Sequence, residues 1–510
     1  MFRRSVGFVD ILPLELRRSA RVVGLFLLLV PRRMLPSINA MAAAVVEADD
    51  EAMHVALFPF LAFGHISPFA QLARSLGAVG GVRVTFLSAA ANVARVEAML
   101  PADGTAVVAA LHLPRVPGLP VGAESTAEVD ADGAELLKLA LDGTRPQVEA
   151  LLARLRPDVV LFDFATPWVA DVARQLGARA AHFSVFTAVT SAYLTVPARR
   201  RLHHGAASCP TVDDLATAPV GFPPSSSLAT VPTYQAADFT YVFTSFHGMP
   251  SAYDRVAACD KASDVLVFKT CAEMEGPYIE YVATQYDKPI LVTGPLVPEP
   301  PHGELEERWE TWLSSFPDNA VVFASFGSET FLPTAAATEL LLGLEATGQP
   351  FVAVLNFPRS VDAEAEVKKC MAPGFEERVK GRGVVHSGWV QQQHILRHRS
   401  VGCYVNHAGF SSVVEGLVAG CRLVLLPMKS DQFFNAALLA RELRVGTEVA
   451  RRDGDGWFGH DAVRDAVNAA VADAGGGDDD ERKWREFLTD DAVQRRFVEE
   501  FVRELRKLVL

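Results

Sequence analysis

Residues 389 to 432, WVQQQHILRHRSVGCYVNHAGFSSVVEGLVAGCRLVLLPMKSDQ, gather the side chains of this chain best suited to chemistry on a polar ligand. Trp389 offers an aromatic face for a base, and Gln392 and Glu415 can hold hydroxyls. His407, Ser411 and Ser412 carry hydrogen-bond donors beside a small-residue turn at Gly409, and Asp431-Gln432 close the run with an acceptor and a donor. Such a set can stack a base, hold a ribose, cradle phosphates and grip a sugar.

The elements that must position these groups follow from the pattern. VGCYVNH is apolar and β-prone, as a buried parallel strand requires. SSVVEGLVAG has Ser at its start, apolar residues at helical spacing and Gly420 at its end, which predicts a helix. A strand, a tight turn and a helix N-terminus together make an anion site, because backbone N–H groups and the helix dipole point at the turn. Glu415 also lies three residues beyond Ser412, so a capping box is the simpler reading of that pair taken alone. CRLVLLP predicts a second strand ending at Pro427, with the polar loop MKSDQ at its exit, where open parallel sheets bind ligands.

Two further candidates lie in the first half. HVALFPFLAFGHISPFAQLARSL predicts a strand, a turn at Gly64-His65 and an amphipathic helix. RPDVVLFDF predicts a strand ending at Asp163. A lone His at a turn is more often a packing or capping residue, and an isolated Asp at a strand exit is more often a helix cap. The alternative is a dyad, in which His65 takes a proton from a hydroxyl nucleophile while Asp163 holds its other ring nitrogen.

The run from Trp389 to Gln432 resembles the 44-residue nucleotide-sugar signature of plant family-1, UDP-dependent glycosyltransferases, in which W-A-P-Q is followed by H-C-G-W-N-S, E and D-Q. Trp389, Gln392, His407, Gly409, Ser412, Glu415, Asp431 and Gln432 all stand in phase with it. The resemblance implies that Trp389 stacks on uracil and the Val390 backbone pairs with its edge. Gln392 and Glu415 then face the ribose, His407, Gly409, Ser411 and Ser412 the phosphates, and Asp431 and Gln432 the transferred sugar. It places a phosphate-contacting hydroxyl at Ser328, after the strand AVVFAS, and a donor-sugar contact at Thr187. His65 and Asp163 match its catalytic pair, Asp163 and Asp171 keeping the family's spacing at a helix entry. Val390 and Gln391 replace Ala-Pro, Phe410 replaces the second Trp, and Ser411 replaces an Asn that supports phosphate and sugar. GWVQQ with HAGFSS is most similar to the subgroup that adds a sugar to an already glycosylated flavonoid.

The alternating strands and helices read as α/β with parallel sheets. The resemblance makes this the GT-B architecture, two Rossmann-like α/β/α domains facing a cleft, with a C-terminal helix crossing back to the first. The expected division is a dispensable extension over 1–50, an acceptor-binding domain over 51–292, a Pro-rich acidic linker over 293–318, a UDP-sugar-binding domain over 319–485 and the returning helix over 486–510. The implied reaction is inverting, metal-independent transfer of a sugar, with UDP-glucose as the expected co-substrate and no cofactor. The acceptor is a small specialised metabolite, with a flavonoid or anthocyanin glycoside first. Aglycones or terpenoids, or a silent UDP-sugar-binding protein, are the alternatives.

Composition excludes other classes. A formal charge of −13 opposes a nucleic-acid partner. The acidic spacings DAD at 130–132 and DGD at 453–455 sit in polar or Gly-rich contexts and read as solvated turns rather than metal clamps. Six Cys at 209, 259, 271, 370, 403 and 421, without a C-x-x-C, suit a reducing compartment. The apolar run VVGLFLLLV in the first fifty residues is far below the ~20 residues that span a bilayer, so a cytoplasmic monomer with no stable membrane span is expected.

Overall fold

The computed structural model describes residues 52–200, 202–203, 206–207, 209–327, 330–358, 361–472 and 479–510. The extension over 1–50 and Ser328 therefore lie outside the described residues. Residues 53–510 form one compact unit.

The run MHVALF forms β1 (Met53–Phe58), buried along its whole length. It lies inside a seven-stranded sheet with β2 (Val82–Ala89), β3 (Ala106–Leu111), β4 (Val159–Phe162), β5 (Arg179–Ser184), β8 (Val265–Phe268) and β9 (Ile290–Val292). The order is β3-β2-β1-β4-β5-β8-β9, and every neighbouring pair is parallel. Val55 stands opposite Val84 on one side and Val159 on the other. The two-residue strands β6 (Leu202–His203) and β7 (Ala206–Ala207) form a separate antiparallel pair.

The second sheet is built from β10 (Val321–Ser325), β11 (Phe351–Val354), β12 (Gly383–His386), β13 (Val401–Asn406), β14 (Arg422–Leu425) and β15 (Thr447–Glu448). Its order, β12-β11-β10-β13-β14-β15, repeats the first sheet's progression, again with parallel neighbours only. In both sheets the direction of winding reverses beside the first strand, between β1 and β4 and between β10 and β13. The crevice at the carboxyl ends of such strands is where open α/β sheets hold ligands. His65 and Asp163 follow β1 and β4, and His407 follows β13, so three of the sequence candidates sit at these two reversal points.

The segment between the sheets differs from a plain linker. Its Pro-rich start is irregular, but Glu307–Leu313 is a helix that buries Trp309 and Leu313, with Trp309 edge-on to His386 at 5.4 Å. The Pro-rich, acidic composition reads as a linker, whereas Trp309 and Leu313, four residues apart, form the buried face of a helix.

The closing segment is two helices meeting at Asp490, whose carboxylate accepts from the N–H groups of Ala492 and Val493. The final helix, Asp491–Val509, buries Phe497, Phe501, Val502 and Leu505. Phe501, Val502 and Leu505 join the core of β1 and β2, and the Arg506 guanidinium donates to the Gly81 carbonyl at 3.2 Å. Two Rossmann-like halves with the C-terminal helix returned to the first are the GT-B architecture.

Candidate active site

His65 is the third residue of helix α1 (Phe63–Val79), which starts almost directly after β1. Its Nδ1 lies 2.7 Å from Asp163 Oδ2. Asp163 is 1% exposed and also accepts from the N–H groups of Phe60 at 3.0 Å and Phe164 at 2.8 Å. Burial pushes its carboxyl upward, but the His65 imidazole and these two N–H groups outweigh that and hold it below the usual carboxylate range. The cap reading of Asp163 fails on position, since the next helix, α2 (Val169–Gln175), begins six residues later with Trp168 at its cap. Asp171 is exposed and pairs with Arg174. Phe60, Phe164 and Phe186 surround the imidazole, with centroids 5.7, 5.5 and 5.3 Å away.

In the second sheet, Gln392 links β10 to the signature helix. Its Oε1 accepts from Ser325 Oγ at 3.0 Å, and its Nε2 donates to Glu415 at 2.7 Å. Gln393 donates to the other Glu415 oxygen at 3.3 Å. Burial raises the Glu415 carboxyl, and the two amides work against that. The capping box is not formed, because the helix runs Phe410–Ala419 with Gly409 at its cap, which puts Ser412 inside the first turn. Gly409 is needed for a different reason. A Cβ there would sit 2.5 Å from His407 Nε2, and one on Gly327, at φ +73°, would sit 3.1 Å from His407 Cε1. The ring of His407 therefore lies against two backbones. Burial and Lys429 lower its pKa to about 4, keeping it neutral, and among the described residues its Nδ1 has no hydrogen-bond partner. Trp389 is 72% exposed beside a buried Val390, as a platform for a planar ring requires. Gln391, where the signature carries Pro, ties back to the backbone of Glu304 and Glu306.

The loop and helix at Asp431-Gln432 are held by contacts that cross between the two halves. Ser430 has φ +47° and ψ −124°, a conformation costly for any residue with a Cβ. Its N–H donates to Asp238 of the first half at 2.7 Å. The Gln432 carbonyl accepts from the N–H groups of Met428 at 2.9 Å and Lys429 at 3.2 Å, so only its amide end remains to donate. Burial raises the Asp431 carboxyl, against the pull of Lys429, of the Asn435 amide at 3.2 Å and of His65 across the cleft. Asn435 accepts from Thr187 Oγ1 at 2.8 Å and donates to the Ala408 carbonyl at 3.0 Å.

Asn435, Asp238 and Lys269 were not among the sequence candidates. Asn435 stands one helical turn after Asp431, a signal that could have found it. Lys269, a charged residue ending the run VLVFK, carried another, whereas Asp238 carried none. The acidic spacings have ordinary roles. Asp130 caps the helix Ala131–Asp142, Asp132 pairs with His247, and Asp455 pairs with Arg452.

A histidine–aspartate pair on one Rossmann-like half, facing an acidic and amide loop on the other, defines a glycosyltransferase of the GT-B class. The family model UDP-glucoronosyl and UDP-glucosyl transferase matches residues 241–450. An anthocyanidin-3-O-glucoside rhamnosyltransferase of Petunia hybrida is 48% identical over 89% of this chain and 96% of its own length. A cyanidin 3-O-galactoside 2''-O-xylosyltransferase of Actinidia chinensis var. chinensis is 38% identical over 89% of this chain and 98% of its own. Among solved structures, Arabidopsis thaliana UGT89C1 complexed with UDP-L-rhamnose superposes with a TM-score of 0.68 at 24% identity, over 89% of this chain and 98% of that one. The chain belongs to the UDP-dependent glycosyltransferases.

Proposed function

We propose that this enzyme transfers a sugar from a UDP-sugar to a hydroxyl of a flavonoid or anthocyanin glycoside, with inversion at the anomeric carbon. The observation that carries the mechanism is the 2.7 Å bond between His65 and Asp163 at the carboxyl end of the first sheet. With Nδ1 bound to a carboxylate, the imidazole is fixed in one tautomer and Nε2 is the atom that receives the acceptor's proton. The acceptor oxygen attacks the anomeric carbon as the bond to the diphosphate breaks, and the electron pair leaves on UDP. His407, Ser411 and Ser412 meet that charge, Trp389 and Val390 hold uracil, Gln392 and Glu415 hold the ribose, and Asp431, Gln432 and Thr187 orient the sugar.

The acceptor class rests on the relatives, which act on anthocyanidin 3-O-glucoside and cyanidin 3-O-galactoside by name. For the donor, the Petunia relative's name, a rhamnosyltransferase, supports UDP-rhamnose as a candidate beside the expected UDP-glucose. Five buried thiols of six free ones suit a cytoplasmic setting, and no helix among the described residues is long and apolar enough to cross a membrane. The test is a mass-spectrometric transfer assay crossing UDP-rhamnose, UDP-glucose and UDP-xylose with anthocyanidins, flavonols and their 3-O-glucosides. Product from the glucosides alone is expected. Product from the aglycones alone would overturn the acceptor, and UDP binding without turnover would favour the silent binder.

A further inference from the structure

β8 ends at Phe268, and the next residue, Lys269, is 1% exposed although it carries a charge. Its chain runs from the first sheet to the second, where Nζ lies 2.6 Å from Ser411 Oγ and 5.7 Å from the centre of the Phe410 ring. Those are a neutral hydroxyl and an aromatic face. Glu415 is the carboxylate that acts on it through space, but both Glu415 oxygens are taken by Gln392 and Gln393. An ammonium buried against such partners costs several kcal/mol, and an apolar side chain of the same length would serve the fold better. Burial lowers its pKa to about 8, so the charged form still prevails at neutral pH.

We infer that Lys269 binds the donor diphosphate, reaching over from the first sheet to meet the negative charge that gathers on UDP as its bond to the anomeric carbon breaks. The inference rests on the reading of His407, Ser411 and Ser412 as the phosphate end. Two observations converge on it. Ser411 is the position where the signature's longer Asn is lost, and it is the residue Lys269 touches. His407 Nδ1, buried in the same turn, also lacks a partner among the described residues. Lys269 stays protonated throughout. Bond formation, bond breaking and transfer of the acceptor proton to His65 balance without it, and its contribution is to the charge on the leaving group.

The test compares the full-length wild type with Lys269→Met and Lys269→Arg, measuring UDP and uridine affinity by calorimetry, turnover, and Tm. Lys269→Met should weaken UDP by about 10- to 100-fold, the worth of one charged hydrogen bond. It should lower kcat by about 100-fold, while uridine affinity is unchanged and Tm is unchanged or higher. Lys269→Arg should recover most of the UDP affinity. UDP affinity and kcat within about twofold of wild type, or a parallel loss of UDP and uridine binding with a lower Tm, would overturn the inference. Wild-type protein that binds uridine but gains nothing from the diphosphate would overturn the phosphate reading itself, before any variant is compared.

Discussion

Thr187 and Asn435 are 248 positions apart and share a hydrogen bond of 2.8 Å. The first stands at the cap of the helix Ala188–Leu194 after β5, the second one turn into the helix that Asp431 opens. Asn435 also donates to Asp431, so the orientation of that carboxylate is tied to a residue of the opposite half.

Asn435→Ala should leave Asp431 in place but unoriented. Because misplacement of a sugar-positioning group costs rate more than affinity, kcat/KM for the donor should fall by about 10- to 100-fold while the Kd of UDP holds. Steady-state kinetics with UDP titration check this, and a proportional loss of UDP affinity would remove Asn435 from the sugar end.

His65→Ala should abolish transfer with UDP affinity nearly intact. Asp163→Asn should lower kcat by about 1,000-fold or more, by analogy with loss of the orienting carboxylate in other triads, while the fold survives. Retained turnover in the first variant would remove His65 as the base, and an unchanged rate in the second would reduce Asp163 to a structural role.

Trp389→Ala should weaken UDP by about 1–3 kcal/mol, the worth of one base stacked on an aromatic ring. Tm should not move, because the indole is largely exposed. Equilibrium binding and thermal melts separate the two effects, and a lowered Tm with intact affinity would contradict the stacking role.

His54 and His407 should make the protein acid-sensitive in a defined window. Burial and Arg83 lower His54 to about 4, despite the Leu155 carbonyl and Asp158, and burial with Lys429 lowers His407 to about 4. Both are about 6.5 when unfolded, so the unfolded chain binds more protons below that pH. Through these two groups stability falls as pH drops from about 6.5 toward about 4, while the raised carboxyls of Glu415 and Asp431 work in the opposite sense. Asp163, held low in the fold, adds its loss only below the ordinary carboxylate pKa. Denaturant midpoints across this range check the sign, and His54→Gln, which keeps a partner for the Thr85 hydroxyl now 2.9 Å from His54 Nε2, should flatten the slope.

Much of the site was legible because its residues are consecutive. Trp389 to Gln432 spans a strand, a turn, a helix and a second strand exit in one continuous run, so its resemblance to the family signature carried the register. His65 and Asp163 were legible as strand exits, but their pairing depended on β1 lying beside β4, which no local pattern states. Lys269, Asp238 and Asn435 escaped because their roles arise between the two sheets. The helix at Glu307–Leu313 was masked by its Pro-rich, acidic surroundings.

The return of the last helix to the first sheet has a mechanical consequence. Among the described residues the backbone passes from one half to the other through residues 293–306 and again at Asp490, so the two halves are tied together at two places. Clipping the chain at Asp490 would remove one of those ties without touching any of the candidate site residues, leaving only side-chain contacts such as that of Thr187 with Asn435 to help the remaining tie hold the halves in register.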